Sequence, residues 1–469
     1  MNILLINPPF NLSSTSPYSK TGATLPPLGL LYIASYLRQI HPEYSINVLD
    51  SPSFKLSSND FENKLNEFKP DIIGISIYTT SFPSIIETIN TIRNIHPNSK
   101  IVAGGPHASI LPEECINLLN IDAVVIGEGE NTFNLLVEHI SQNKDYSTVP
   151  NIAYRNNLRI VHTSISNERL DLNNIPIPAR DLIDLNLYKP AEGTYKRLPA
   201  TNMITSRGCP YNCCYCSKSV FGSYYRFISP ENIIKEIKHL VSTYGIKEIY
   251  FNDDVFTLHN ENTATFCNML IESKIDITWG CSTRANLVNP ELLQLMKNSG
   301  CISIGYGVES GDGEILKSIS KDLSINTLKT AINATKTEGI ETRTFYIFGL
   351  PGESFSSMKK TFSLAKEIFS DFVIFNFAIP IPGTKLYETA LSNNLLKYKS
   401  LELYEKCDGA HPLISLTNIT DKQLLSFYKR AYLMYYLSPK YILNRIISIK
   451  SFCDLKRNIK GLLSFLNWF

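Results

Sequence analysis

Three thiols, Cys209, Cys213 and Cys216, lie in the stretch Arg207-Gly208-Cys209-Pro210-Tyr211-Asn212-Cys213-Cys214-Tyr215-Cys216. Gaps of three and then two residues let one short loop wrap them around a metal centre, and soft thiolates at this spacing favour an iron–sulfur cluster or zinc over a hard cation. With three regular ligands, a cubane keeps one iron open to something other than protein. The alternatives are a structural zinc loop whose fourth ligand lies elsewhere and a thiol run without function. Cys214 falls between the ligand positions and reads as a packed, small apolar side chain.

Further polar groups fall where strands should end. Asp253 and Asp254 follow the strand Glu248 to Asn252 and can accept hydrogen bonds from a ligand or cap a helix. Glu309 stands among glycines in Gly305-Tyr306-Gly307-Val308-Glu309-Ser310-Gly311, either as a ligand contact or as an ordinary loop carboxylate. Arg284 follows the strand Ile277 to Ser282, and Arg343 precedes Thr344 to Phe348. An arginine fork suits a ligand carboxylate, with a surface salt bridge as the plain alternative.

The elements that must position these groups form two α/β modules. In the first, short apolar strands at Ile3 to Ile6, Ser45 to Asp50, Asp71 to Ile77, Lys100 to Ala103 and Asp122 to Ile126 alternate with helical spacing at Leu28 to Ile40 and Ser84 to Ile95. That rhythm predicts a doubly wound parallel sheet, with Leu30, Ile33, Ala34 and Leu37 covering one face. Its strand-end loops carry Asn7-Pro8-Pro9, Ser76 through Ser81 with Thr79, Gly104-Gly105-Pro106-His107 and Gly127-Glu128. Glycines let backbone approach a bulky ligand and hydroxyls reach its polar rim; a plain flavodoxin-like shell stands beside that reading. A small hairpin at Asn151 to Tyr154 and Arg159 to His162, then proline-rich Pro176 to Asp181, marks a connector. Arg180-Asp181 reads as a surface or interdomain contact. From Ala200 six strand–helix units follow and can curve into a partial β/α barrel. The region from Ala390 onward reads as helical, with helices at Asp421 to Leu437, Lys440 to Ser448 and about Leu455 to Phe465.

Composition bounds the function. The 469 residues are 43% hydrophobic with a formal net charge of +2, so there is no polybasic field to draw in nucleic acid. Ten cysteines, four of them clustered between 209 and 216, suit a reducing cytoplasm better than a disulfide framework. The start lacks a basic leader, and no apolar run approaches the roughly 20 residues that span a bilayer. Basic residues interleaved with Leu, Ile, Phe and Trp after Lys440 make a surface able to touch anionic lipid or a lipid-like substrate; alternatively, the apolar residues pack on the barrel and the charges face water.

The cysteine pattern, with Tyr215 before the last thiol, resembles the signature of radical S-adenosylmethionine (SAM) enzymes, and the loops of the first module resemble the cobalamin-binding domain that precedes many of them. The resemblance implies four regions: a cobalamin domain at 1–148, a linker at 149–196, a radical SAM core at 197–389 and a helical domain at 390–469. It implies a [4Fe-4S] cluster on Cys209, Cys213 and Cys216, with SAM on the open iron. SAM contacts fall to Tyr215, Asp253 or Asp254, Glu309, Arg284 or Arg343, and to the closing segment around Pro382. Cobalamin falls to Asn7, Pro8, Ser76, Thr79, Gly104, Gly105, Gly127 and Glu128, with His107 expected to make a cofactor-tail or interdomain hydrogen bond. No Asp-x-His-x-x-Gly occurs, so no familiar histidine is offered to cobalt from below. The implied activity is C-methylation, in which a 5'-deoxyadenosyl radical removes hydrogen and methylcobalamin donates methyl. Oxidative cyclisation or ring rearrangement is the alternative, and a cobalamin or redox sensor a third. A small-molecule, lipid or peptide substrate and a reduced flavodoxin- or ferredoxin-like donor complete the expectation.

Overall fold

The computed structural model describes residues 1–9, 24–54, 58–166, 168–191, 194–416, 418–447, 449, 455 and 458–461. Most of the expected helix from Leu455 to Phe465 lies outside them. The first sheet holds β1 (Asn2–Asn7), β2 (Ser45–Asp50), β3 (Ile72–Ser76), β4 (Lys100–Gly104), β5 (Ala123–Val125), β6 (Ile152–Asn156) and β7 (Arg159–His162) in the order β2-β1-β3-β4-β5-β6-β7. Strands β1 to β5 are parallel, in the doubly wound 2-1-3-4-5 order. The order reverses between β1 and β3, where such sheets open a ligand crevice beyond the strand ends. Leu30, Leu31, Ala34 and Leu37 of the Leu28–Ile40 helix are buried on one face, as the spacing predicts, and Ile33 packs beside them.

One boundary moves. The hairpin β6–β7 pairs antiparallel with β5 and closes the edge of the first sheet, so it belongs to that domain and the connector begins after it. A parallel sheet ending at β5 would expose a row of unpaired backbone groups. Arg180 anchors the connector: it is fully buried, and its Nη1 and Nη2 donate to Glu236 Oε1 at 2.6 Å and Asn202 O at 2.8 Å. Asp181 meets Arg38 at the surface.

The second sheet starts at β8 (Ala200–Met203), whose end leads through the short pair β9 (Ser206–Arg207) and β10 (Arg226–Phe227). It continues with β11 (Glu248–Phe251), β12 (Thr278–Thr283), β13 (Cys301–Glu309), β14 (Glu341–Phe348) and β15 (Phe372–Phe377), all parallel and in sequence order around an open barrel. Its helices are stopped by local chemistry. The Pro230–Tyr244 helix starts at Ser229, whose side chain accepts from Asn232 N, and ends at left-handed Gly245. Ile233, Ile234, Ile237 and Leu240 form its buried stripe.

The C-terminal region is divided between the two modules. Leu403, Tyr404, Cys407 and Leu413 join the core of the first domain, whereas the Asp421–Tyr436 helix packs on the barrel. Strand β15 is the barrel's open edge, and tyrosines close it. Tyr432 Oη accepts from Phe375 N at 3.0 Å and donates to Phe375 O at 2.9 Å; Tyr436 Oη does the same at Val373, at 2.9 and 2.7 Å. Side-chain hydroxyls thus stand in for a missing neighbouring strand. No described helix is long and apolar enough to cross a membrane.

Candidate active site between the two domains

The cysteine loop leaves β8 and is fixed from below by Asp253. That buried carboxylate accepts from Thr205 N at 2.7 Å, Thr205 Oγ1 at 2.5 Å and Ser206 Oγ at 2.7 Å. Burial pushes it up to about 6 against the opposing pull of these donors. Asp253 therefore holds the loop's stem, and the expectation that it meets the SAM amino group is corrected: its oxygens are already committed. At Gly208, φ is +88° and a Cβ would lie 2.3 Å from Tyr224 O, so only glycine lets the chain turn into the first thiol. Cys214 N donates to Ile319 O at 3.0 Å and its carbonyl accepts from Leu386 N at 2.8 Å, while its side chain packs on the barrel core as the sequence suggested.

Cys209, Cys213 and Cys216 are free thiols. Although Cys216 reaches the surface, the surrounding loop removes enough water to push its thiol up to about 11, with exposed Asp254, Cys209 and Cys213 adding to the effect. Asp254 is thus a negative charge on the rim of the loop. Among the described residues no three His, Cys, Asp or Glu side chains close around a single ion; a cubane instead spreads its thiolates over separate corners. The donor set fits such a cluster: three unpaired thiols on one loop, with Arg284 Nη1 3.7 Å from Cys213 Sγ.

Arg284 joins a second group beside the loop. Its guanidinium stacks 3.7 Å over the Tyr211 ring, Nη2 donates to Lys321 O, and Nε has no hydrogen-bond partner. Lys321 Nζ donates to Glu309 Oε1 at 2.9 Å, and Tyr215 Oη donates to the same oxygen at 2.8 Å. Burial first, then the Glu309 charge, holds the Tyr215 phenol far above its ordinary range, so it remains a donor. The structure brings Arg284, Tyr215 and Glu309 together through Lys321 beside the cysteine loop. Buried Lys321 was not foreseen; nothing around it in the sequence marks it.

Arg343 is a correction. Strand β14 begins at Glu341, so Arg343 lies at its amino end, opposite the cysteine loop, where it donates to Thr194 O in the connector and meets Glu341 at 3.3 Å. Pro382 is buried in the segment after β15. Its neighbour Gly383 sits against Ile110, where a Cβ would come within 2.7 Å, which places this segment on the first domain.

A cleft of about 870 Å³, counted out to its open mouth, lies between the modules. Asn7, Ser76, Gly104, Gly105, Gly127 and Glu128 line it from the first domain; Ile204, Arg207, Val220 and Phe221 complete it from the cysteine-loop side. Six glycines border the cleft, keeping a slot free of side chains that a bulky nucleotide-like tail would fill. Asn7 is fixed as a wall, donating to Asp50 Oδ1 at 2.7 Å. Pro8 is buried but lies off this lining.

Thr79 and His107 turn away from the cleft. They hydrogen-bond each other at 3.2 Å, with the imidazole packed between Phe82 and Tyr404, and burial pushes His107 down to about 4. His107 packs its ring on Tyr404 of the C-terminal region, while its hydrogen bond stays within the first domain at Thr79 and makes no interdomain link; no histidine is among the described lining residues. Glu128 borders the cleft, but its carboxylate is taken by Arg207 at 2.8 Å, Arg169 at 3.3 Å and Arg226. Arg207 also meets Glu130 at 2.6 Å, while Tyr32 and Phe221 flank its guanidinium. This hub joins the residue two before Cys209 to the loop after β5. Its signal lay inside the cysteine motif itself.

Residues 18–137 match the B12 binding domain, and residues 203–365 match the radical SAM superfamily. An uncharacterized methyltransferase from Pyrococcus horikoshii is 34% identical over 468 residues, 99% of this chain and 98% of that protein. The anaerobic magnesium-protoporphyrin IX monomethyl ester cyclase of Rubrivivax gelatinosus is 28% identical over 397 residues, covering 83% of this chain and 70% of the cyclase. The fold is shared with the radical SAM methyltransferase TsrM of Kitasatospora setae, solved with cobalamin and a [4Fe-4S] cluster, at a TM-score of 0.68 and 16% identity over 85% of this chain and 76% of TsrM. The chain belongs to the cobalamin-binding radical SAM enzymes.

Proposed function

We propose that this chain is a cobalamin-dependent radical SAM C-methyltransferase acting on an unactivated carbon of a small-molecule substrate. One observation carries the reading: the cleft of the first domain is completed by Ile204, Arg207, Val220 and Phe221, the residues that flank the thiol loop. A methyl donor held there would lie next to the thiol loop, on the side formed by Ile204, Arg207, Val220 and Phe221. Cys209, Cys213 and Cys216 would hold the cluster, and the slot bordered by Gly104, Gly105 and Gly127 would hold cobalamin. When bound, the cluster supplies the electron that cleaves SAM to methionine and a 5'-deoxyadenosyl radical, and methylcobalamin supplies the methyl group.

The chain's own residues orient and insulate. Asp253 fixes the stem of the loop, and Arg284 offers positive charge to the Cys213 thiolate. Tyr215 and Lys321 hold Glu309 as an oriented acceptor beside the loop. Hydrogen abstraction from carbon needs no general base; positioning of the reacting groups is what the protein contributes. A small reduced flavin or iron–sulfur protein is the class of donor the cluster calls for.

Similarity to a cyclase keeps a second outcome in the test. Anaerobic turnover with SAM carrying an isotope-labelled methyl, a candidate substrate pool and mass spectrometry separates the two. A labelled C-methyl product together with 5'-deoxyadenosine is expected; an unlabelled cyclised product would assign the chain to the cyclases.

A further inference from the structure

The last helices leave an apolar surface that the barrel does not cover. Between Phe355–Ile368 and Asp421–Tyr436 runs an open groove of about 1030 Å³, counted out to its mouth, floored by Phe355, Phe362, Phe427 and Met434. Lys359, Lys422 and Arg430 stand on its rim, and among the described residues no carboxylate lines it. The nearby acids Glu367, Asp312 and Asp421 are taken by other cations, namely Lys329, Lys360 and Lys397. Past the groove, Lys440 lies 4.1 Å over the Phe369 ring. The next helix, Pro439–Ile447, buries only Tyr441, while Ile442, Leu443, Ile446 and Ile447 are 45% to 68% exposed.

This surface is held in place. Tyr441 Oη and Arg445 Nη2 both donate to Asp371 O, at 3.1 and 2.9 Å, so the helix is pinned to the barrel with its apolar residues outward. An apolar strip on a pinned helix marks an interaction face. Charge decides the partner. The groove rim is uniformly cationic, and residues 440–469 hold six Lys and Arg against one Asp, interleaved with Leu, Ile, Phe and Trp. That combination of apolar strip and one-signed charge fits the interface of an anionic bilayer, where lipid phosphates meet the cations and the apolar strip enters the headgroup boundary.

We propose that this face, the groove between Phe355–Ile368 and Asp421–Tyr436 together with helix Pro439–Ile447, binds the surface of an anionic phospholipid membrane. The test is co-sedimentation of the full chain with phosphatidylcholine vesicles, with and without phosphatidylglycerol. Binding to the anionic vesicles that weakens with salt is expected. The K359Q/K422Q/R430Q variant should bind about a hundredfold more weakly, from roughly 1 kcal/mol per cation removed. The I446N/I447N variant should lose the binding that survives high salt. Both variants change exposed residues, so their urea midpoints should match the parent's. The proposal is overturned if the parent stays in the supernatant, or if the triple variant binds as tightly. It is equally overturned if the parent self-associates without vesicles and I446N/I447N abolishes that self-association, because the face would then pair two copies.

Discussion

Arg207→Met tests the junction on which the proposed chemistry depends. Arg207 is buried and spans the two domains, with one guanidinium nitrogen on Glu128 and the other on Glu130. After the substitution Glu128 keeps Arg226 and Arg169, but Glu130, itself buried, loses the ion-pair partner seen here. Leaving one buried charge uncompensated costs about 3 to 5 kcal/mol, roughly two to four orders of magnitude in the equilibrium that docks the cysteine loop on the first domain. Urea unfolding of the metal-free protein should show the loss, and hydrogen exchange should speed up in residues 205–216 and 126–133 together. The double variant Arg207→Met/Glu130→Gln should recover a large part of it, because the penalty lies in the orphaned carboxylate more than in the missing attraction. A cost below about 1 kcal/mol for the single variant, or no recovery in the double, would refute the reasoning.

Three further outcomes follow from the same geometry. Gly104→Leu places a side chain in the cleft with little of the first domain in its way, the nearest atom to a Cβ being 3.9 Å off, so the fold should survive and titration with hydroxocobalamin should show at least a tenfold loss of affinity. His107 is held at about 4 in the folded state against an ordinary value of 6.5, so the unfolded chain takes up the proton first. Stability from this group is complete above about pH 6.5 and declines as pH falls toward 4, by about 3 kcal/mol in all, and His107→Gln should flatten that part of the urea-midpoint curve. Replacing Tyr432 and Tyr436 with Phe removes two hydroxyls that each satisfy a strand N–H and C=O; a loss of about 1 to 3 kcal/mol per residue and faster amide exchange at Phe372–Phe377 are expected.

The sequence made the architecture legible because short apolar runs, glycine-bearing loops and helical stripes recur at a strand–helix rhythm. Local chemistry placed Cys209, Cys213, Cys216, Glu309 and the paired glycines at the ends of strands. Contacts made at long range were not legible. Arg343 precedes Thr344 to Phe348 on the sequence reading and sits third in the strand Glu341–Phe348, so on either reading it lies at the strand's amino end, away from the cysteine loop at the carboxyl ends. The hairpin at 152–162 reads as connector, yet an exposed parallel edge claims it. The helix Asn260–Ser273 escaped notice because its buried stripe is thin: Thr263, Phe266, Cys267 and Leu270. Lys321 is recognisable only after the fold brings it to Glu309, whereas Arg207 sat inside the motif and could have been read as part of the junction.

On the proposed function, three thiols hold a reducible cluster beside a cobalamin cleft. Anaerobic reconstitution with iron, sulfide and hydroxocobalamin, followed by metal analysis and electron paramagnetic resonance, addresses it directly. About four irons and one cobalamin per chain are expected, with the irons lost on replacing Cys209, Cys213 or Cys216 by Ala and retained on replacing Cys214. A single zinc bound at the loop, or a cluster that survives all three ligand replacements, would contradict it.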